Sequence, residues 1–286
     1  RLADNKDASG EIGYTKKLVP GVAGTTYPVE RLGIAPVVMA DGPSRVCLSP
    51  RRPGDSNTYF TTNVPSAILL ASSFNTDATH RIGEILGNET REYGIDVLLA
   101  PGVNIMRNPL CGRNYEYYSE DPLLAGKIGA AFVNGVESQG VGTSVKHFAV
   151  NNQELNRLHN DARVSLRALR EIYLKNFEII VKESQPWTIM TSYNNINGRH
   201  ASEDRGLLET ILRDEWGFEG LVVSDWGGGY DAAKQIWAGN DLIEPGRHAE
   251  VKRIMEAVQS GELAEADLNR CVRRVLELVV KSIRYK

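Results

Sequence analysis

Short, continuous apolar runs alternate with longer amphipathic segments along most of this 286-residue chain. Continuous apolarity is typical of parallel strands that are covered on both faces, whereas a half-exposed strand alternates apolar and polar residues. Seven runs are therefore predicted to be strands: residues 36–40, 68–71, 96–100, 143–148, 187–191, 220–224 and 241–243.

The segments between these runs carry helix signals. Ser119 is predicted to cap a helix that has Pro122 in its first turn, and Ser165 is predicted to open another. Further helices are predicted at residues 77–93 and around residues 207–212, 251–258 and 272–279. Strands and helices that alternate over about 250 residues favour a (β/α)8 barrel of the TIM type, with irregularity expected near its first strands. An open, doubly wound sheet is the alternative.

Domain boundaries are sought in linkers rich in Pro, Gly or Ser, and no such linker divides this chain. Residues 1–286 are therefore predicted to form a single domain. Residues 1–30 and 49–63 are polar and irregular, and we interpret them as an N-terminal arm and a long loop.

Charge and cysteine content exclude several classes of function. The 33 Lys+Arg against 36 Asp+Glu give a net charge of −3, so a general surface for nucleic acid or anionic membrane is not expected. No apolar stretch approaches the ~18–20 residues of a membrane span. Three scattered cysteines and five histidines without ligand spacing predict no metal and no cofactor. The odd cysteine count favours the cytoplasm, and an exported form that has lost its signal is the alternative.

Polar side chains follow the predicted strands, at the points where the strands end. In a (β/α)8 barrel these ends build the active site. Carboxylates, cations, a phenol and an indole suit a ligand with many hydroxyl groups, because each hydroxyl both donates and accepts hydrogen bonds. The residues are Asp41, Asn104, Arg107, Lys146, His147, Tyr193, Asp225 and Trp226.

Asp225 stands between an apolar strand and the glycine run 227–229, which would let a ligand approach the carboxylate. A carboxylate nucleophile needs this accessibility and also nearby cations that keep it ionised. Two other interpretations use the same residues. Lys146 could form a Schiff base with a carbonyl substrate, as in an aldolase, and the glycine run could bind phosphate.

Eight motifs occur in order along the chain. They are residues 39–43 (MADGP), 99–104 (LAPGVN), 107–122, 146–148 (KHF), 151–154 (NNQE), 190–194 (MTSYN), 223–226 (VSDW) and 238–241 (AGND). With these motifs the chain resembles glycoside hydrolase family 3, in particular its bacterial β-glucosidases, over nearly its whole length.

The resemblance implies retaining hydrolysis of terminal β-D-glucosyl residues of a small β-glucoside or oligosaccharide. It identifies Asp225 as the catalytic nucleophile. It also identifies the residues expected to hold the glycone, which are Asp41, Arg113, Lys146, His147, Arg157, Tyr193 and Trp226. Arg107 and Glu116 are expected to support these residues.

One departure from the family concerns the catalytic acid. Retaining hydrolysis uses two carboxyl groups about 5–5.5 Å apart, one as nucleophile and one as acid/base. In most multidomain relatives the acid/base is a Glu of a following α/β domain, and in single-domain relatives it is a His after the Lys-His-Phe segment. Here residues 149–152 contain no His. We therefore expect a second α/β domain as partner. The alternatives are a sugar-binding barrel without turnover and β-xylosidase or β-N-acetylglucosaminidase specificity.

Overall fold

The structure, a computed structural model, describes residues 18–52 and 54–285, so most of the expected N-terminal arm lies outside the described residues. Residues 49–63 contain neither helix nor strand where they are described, as predicted for a long loop. The strands are β1 Gly24–Thr25, β2 Val38–Asp41, β3 Val97–Leu99, β4 Gly142–Phe148, β5 Asp161–Ala162, β6 Thr188–Thr191, β7 Asn195–Ile196, β8 Arg199–His200 and β9 Leu221–Ser224.

Six strands form the main sheet in the order β1-β2-β3-β4-β6-β9, and β5, β7 and β8 form a small second sheet. Neighbours from β2 to β9 in the main sheet are parallel, whereas β1 is antiparallel to β2. The carboxyl ends of five strands therefore lie at the same edge of the sheet, as the continuous apolar runs predict.

The prediction of a (β/α)8 barrel is wrong: the six strands form a half-barrel of 222° that does not close. Two predicted strands are missing from it. Residues 68–71 lie in the helix α1, Ala67–Ser72, where Ile68 and Leu69 are 41% and 61% exposed while Leu70 and Ala71 are buried. Residues 241–243 contribute only an isolated bridge between Leu242 and Val223. Without these strands, the number of parallel strands is too small for closure.

The remaining helices lie between the strands. They are α2 Thr76–Glu92, α3 Pro122–Glu137, α4 Leu166–Ala168, α5 Lys175–Ser184, α6 Ala232–Ala238, α7 His248–Ser260 and α8 Glu265–Lys281, with π-helical segments at Leu169–Tyr173 and Gly206–Glu215. Ser165 caps α4 as predicted, accepting a hydrogen bond from the Ala168 backbone N–H. The cap of α3 is Asp121 and not Ser119, because the Asp121 carboxylate accepts from two backbone N–H groups of the first turn. Among the described residues, no helix combines the length and apolarity that a bilayer span requires.

The helices α2 and α3 cross at very short range and cover the strands that carry the site. A Cβ atom at Gly135 would lie 2.1 Å from the His80 carbonyl oxygen, and one at Gly83 would lie 2.6 Å from that of Phe132. Only glycine permits this approach. At this contact the buried side chains of Phe132 and Leu86 pack in one cluster with residues of β2 and β3. The packing holds these strands in place.

Candidate active site

A cavity of about 540 Å³ lies at the carboxyl ends of β2, β4, β6 and β9. All eight residues predicted to act on or hold the substrate line it: Asp41, Arg113, Lys146, His147, Arg157, Tyr193, Asp225 and Trp226. Asp41 ends β2, Lys146 and His147 lie on β4, and the other strand-end residues follow β6 and β9. The structure thus brings together residues that lie far apart in the sequence, from Asp41 to Asp225.

Asp225 is buried and has one oxygen without a partner. Its Oδ1 accepts a hydrogen bond of 2.8 Å from the Trp226 backbone N–H. Among the described residues, Oδ2 has no hydrogen-bond partner, and Nε2 of His147 is 3.7 Å away. A buried polar atom without a partner is unusual and calls for an explanation. Asp225 lines the cavity, so its carboxyl group lies next to the space that a ligand would occupy.

Burial raises the pKa of the Asp225 carboxyl above its ordinary value of 3.8, because the charged form loses water. Lys146 and then Arg113 oppose this effect by favouring the charged form. The two cations therefore act in the direction that a carboxylate nucleophile requires, but burial is the larger effect. The carboxyl is less acidic than a solvent-exposed one.

Two cations of the cavity share the carboxylate of Glu116. The Arg113 Nε–H donates to Glu116 Oε1, and Lys146 Nζ lies 4.0 Å from Glu116 Oε2. Lys146 Nζ also lies 3.9 Å from Asp41 Oδ1. Glu116 thus contacts the predicted ligand-binding residues, which is compatible with its supporting role. Arg107, by contrast, is exposed and lies outside the lining of the cavity.

The backbone of His147 is held by the side chain of Asn104. The His147 backbone N–H donates to Asn104 Oδ1 at 2.8 Å, and Asn104 Nδ2 donates to the His147 carbonyl at 2.9 Å. Burial lowers the pKa of His147 well below 6.5, and Arg113, Lys146 and Arg157 lower it further. The imidazole is therefore neutral and carries one proton.

The outer wall of the cavity includes residues that strand ends do not indicate. Arg157 donates to Glu154 Oε2 at 3.0 Å, and its guanidinium lies 4.7 Å from the Tyr193 ring centroid. The Tyr193 hydroxyl donates to the Trp226 carbonyl at 3.0 Å, and burial raises its pKa. Glu154 and Tyr115 also line the cavity. Both lie within the motifs quoted above, which is the signal that could have identified them.

The glycine run does not form a phosphate cradle. The N–H groups of Gly227, Gly228 and Gly229 donate to Glu244 O, Asp225 O and His200 Nε2 at 2.7, 2.8 and 3.1 Å. Gly227 and Gly229 have φ of 76° and 96°, values that favour glycine. The run therefore serves the turn after β9. No group of three or more His, Cys, Asp or Glu within residues 18–52 and 54–285 is arranged to hold a metal ion.

Comparisons with known proteins agree on one family. The model of the glycosyl hydrolase family 3 N terminal domain matches residues 53–278. Thermostable beta-glucosidase B of Acetivibrio thermocellus is 45% identical, over 91% of this chain and 35% of that protein. An exo-alpha-(1->6)-L-arabinopyranosidase of Bifidobacterium longum is 46% identical, over 89% of this chain and 34% of that protein.

Solved structures give the same result. Beta-glucosidase 3B of Thermotoga neapolitana, in complex with glucose, is 51% identical with a TM-score of 0.91. The match covers 94% of this chain and 38% of that chain. This chain therefore spans about a third of the length of the curated relatives that it matches.

Proposed function

This chain belongs to glycosyl hydrolase family 3, and from that premise we propose that it carries the nucleophile of a retaining β-glucosidase. The observation that carries the proposal is the free Oδ2 of the buried Asp225. In the proposed reaction this oxygen attacks the anomeric carbon of the glucosyl residue while the bond to the leaving group breaks. The product is a glycosyl ester, which water then hydrolyses.

The groups around Asp225 suit a glucosyl ligand. Lys146 and Arg113 donate hydrogen bonds, Asp41 accepts them, and both kinds of partner are needed for hydroxyl groups. The half-buried Trp226 adds an apolar ring face for the C–H face of a sugar. We assign these residues to binding of the glycone.

The acid that protonates the leaving group is not evident among the described residues of the cavity. Asp41 is close to Lys146, and Glu154 accepts hydrogen bonds from Arg157 and Asn151. We therefore propose that a second domain supplies the acid. The greater length of the relatives is compatible with such a domain.

Covalent labelling tests the nucleophile directly. A 2-deoxy-2-fluoro-β-D-glucosyl fluoride needs almost no acid assistance, since fluoride is a good leaving group. We expect one label per chain by intact mass, located on the peptide that contains residues 224–226. Asp225→Ala should abolish labelling. The control Glu154→Gln, which changes another carboxylate of the cavity, should retain it. A stoichiometric label on any other peptide would contradict the proposal.

The sugar specificity is part of the proposal and has its own test. Relatives named as a beta-glucosidase and as an arabinopyranosidase are 45% and 46% identical, so identity alone does not separate glucosyl from arabinopyranosyl substrates. We expect faster labelling by the glucosyl reagent than by the matching arabinopyranosyl and xylosyl reagents, and faster than by a 5-fluoro-N-acetylglucosaminyl fluoride, which keeps the 2-acetamido group. A preference for one of the other three would contradict the glucosyl assignment.

A second candidate function is sugar binding without turnover, which the lack of an uncommitted acid among the described residues of the cavity favours. In that case calorimetry should detect glucose binding while aryl glucosides remain intact. Slow formation of the glycosyl ester followed by release of glucose would argue against it.

A further inference from the structure

The hydroxyl of the buried Tyr117 contacts Asn151 and also His147, which lines the cavity. Asn151 Nδ2 lies 3.2 Å from this hydroxyl, and His147 Nδ1 also lies 3.2 Å from it. The Asn151 orientation is determined by Glu154, because Nδ2 also donates to the Glu154 carboxylate at 3.1 Å. Asn151 therefore donates to the Tyr117 oxygen. Among the described residues, His147 Nδ1 is then the acceptor within reach of the Tyr117 proton.

A second neighbour of His147 Nδ1 would favour the opposite arrangement. Asn104 Oδ1 lies 3.3 Å from Nδ1. This atom is an acceptor, because it accepts from the His147 backbone N–H while Asn104 Nδ2 donates to the His147 carbonyl. In one tautomer Nδ1 accepts a hydrogen bond from Tyr117, and in the other tautomer Nδ1–H donates one to Asn104. Tyr117 is fully buried, so a hydroxyl proton without an acceptor would be costly.

We propose that Tyr117 is a positioning residue that holds neutral His147 in the tautomer with its proton on Nε2. Nε2 lies 3.7 Å from the free Oδ2 of Asp225, which is too long for a hydrogen bond. The Nε2–H group is therefore available to a ligand hydroxyl beside the nucleophile. In the other tautomer, a ring lone pair would face the carboxylate. The consequence for catalysis rests on the proposed function, whereas the tautomer itself does not.

Nitrogen NMR of the full chain tests the tautomer without reference to activity. Long-range ¹H–¹⁵N correlation on histidine-labelled protein separates the Nδ1–H and Nε2–H forms, and His147→Gln identifies the signal among five histidines. We expect the Nε2–H form in the wild type and the Nδ1–H form in Tyr117→Phe, where Asn104 becomes the remaining partner. The matched control is Tyr118→Phe, since Tyr118 is also buried but has no hydrogen bond to His147. It should leave the spectrum of His147 unchanged.

The rate of labelling by the 2-fluoroglucosyl fluoride is the second measurement. Loss of one neutral hydrogen bond to the ligand should slow labelling of Tyr117→Phe about tenfold, whereas Tyr118→Phe should label at the wild-type rate. An Nδ1–H form in the wild type would overturn the proposal, even if Tyr117→Phe does not fold. An Nε2–H form that persists in Tyr117→Phe would overturn it too. If the tautomer changes as expected but Asp225 is not labelled in the wild type, the proposed function fails and the tautomer assignment stands.

Discussion

Glu116 supplies a buried negative charge between two cations of the cavity, and its removal should destabilise the fold. The side chains of Glu116 and Lys146 are 2% and 4% exposed, and Lys146 Nζ lies 4.0 Å from Glu116 Oε2. Asp41, the other carboxylate near Lys146, is 59% exposed, so water screens its charge. The substitution Glu116→Gln removes the charge and keeps the shape of the side chain.

The size of the effect follows from the distance and the burial. At 4.0 Å and an effective dielectric constant of about 20, the attraction between two unit charges is about 4 kcal/mol. Removing one partner of a buried pair usually costs about 3–5 kcal/mol, since the other charge stays buried. The Gln amide oxygen can still accept from Arg113. We therefore expect the free energy of unfolding to fall by about 3 kcal/mol.

Urea unfolding of the wild type and two variants measures this loss. The control is Glu154→Gln, which removes an ion pair at 3.0 Å whose Glu and Arg side chains are 21% and 39% exposed. Exposed pairs contribute about 0–1 kcal/mol, so the control should change little. If Glu116→Gln and Glu154→Gln lose the same free energy, within about 0.5 kcal/mol, burial does not determine the effect and the reasoning is wrong.

The same substitution should change the titration of Asp225. Lys146 and Arg113 already lower the pKa of this carboxyl, and both cations also interact with the negative charge of Glu116. Without that negative charge, the positive charge near Asp225 is less compensated. The pKa of Asp225 should therefore fall. If Asp225 is the nucleophile, the acid limb of the labelling rate should move to lower pH in Glu116→Gln. Movement to higher pH would contradict the assignment of Glu116 as the competing charge.

Three further predictions concern stability. Asp96, whose side chain is fully buried, accepts from Arg284 and two backbone N–H groups, so Asp96→Asn should lower the free energy of unfolding in urea by about 3 kcal/mol. Burial raises the pKa of Glu137 from 4.5 to about 7, so its stabilising contribution is complete below about pH 4.5 and is lost as the pH rises through about 7. As the pH rises from about 5 to 8, the free energy of unfolding of Glu137→Gln should therefore increase relative to that of the wild type, by about 1–2 kcal/mol after allowance for partial exposure. If thermal unfolding shows the same difference between the two proteins at both pH values, this prediction is wrong. Gly135→Ala should unfold far more readily than the wild type, since its Cβ would meet the His80 carbonyl, and equal urea midpoints would refute the close helix contact.

The parallel strands of the sheet could be predicted because two signals with one physical cause coincide. A strand buried on both faces is apolar throughout, and the first residue beyond it is polar because it reaches the cavity, as at Asp225. The run 68–71 is also followed by a polar residue, Ser72, so these two signals do not distinguish it from a strand. Four apolar residues are equally compatible with a helix that buries one side, and that is how Leu70 and Ala71 are used.

Closure of the sheet could not be predicted from the same pattern. The first strand, β1, has two residues and pairs antiparallel, so it leaves no periodic signal. The segment around Leu242 has the composition of a strand but forms a single bridge. Alternation of strands and helices indicates that a sheet is parallel, but the number of strands decides whether it closes.

Cavity residues at strand ends can be predicted from the strand pattern, whereas those on loops cannot. Lys146 and Tyr193 are indicated by their positions at strand ends, whereas Arg113 and Arg157 come from the family resemblance alone. Arg107 shows why a rule based on strand ends fails beyond the first residues. Asn104, nearer the strand, points inward and binds the His147 backbone, while the chain has turned outward by Arg107.

The polar groups that line the cavity differ in their exposure to water. The side chains of Asp225 and Lys146 are 11% and 4% exposed, so a hydrogen bond between either of them and a sugar hydroxyl is formed out of competition with water. Asp41, 3.9 Å from Lys146, is 59% exposed, and a hydrogen bond that its carboxylate accepts contributes little while water competes for the same oxygen atoms. Any element that covers Asp41 would strengthen both its contact with Lys146 and its contact with the ligand, because the local dielectric constant would fall. If the second domain that we propose covers Asp41, it would have two separable effects: it would supply the acid for the leaving group, and it would raise the affinity for glucose itself, which needs no acid.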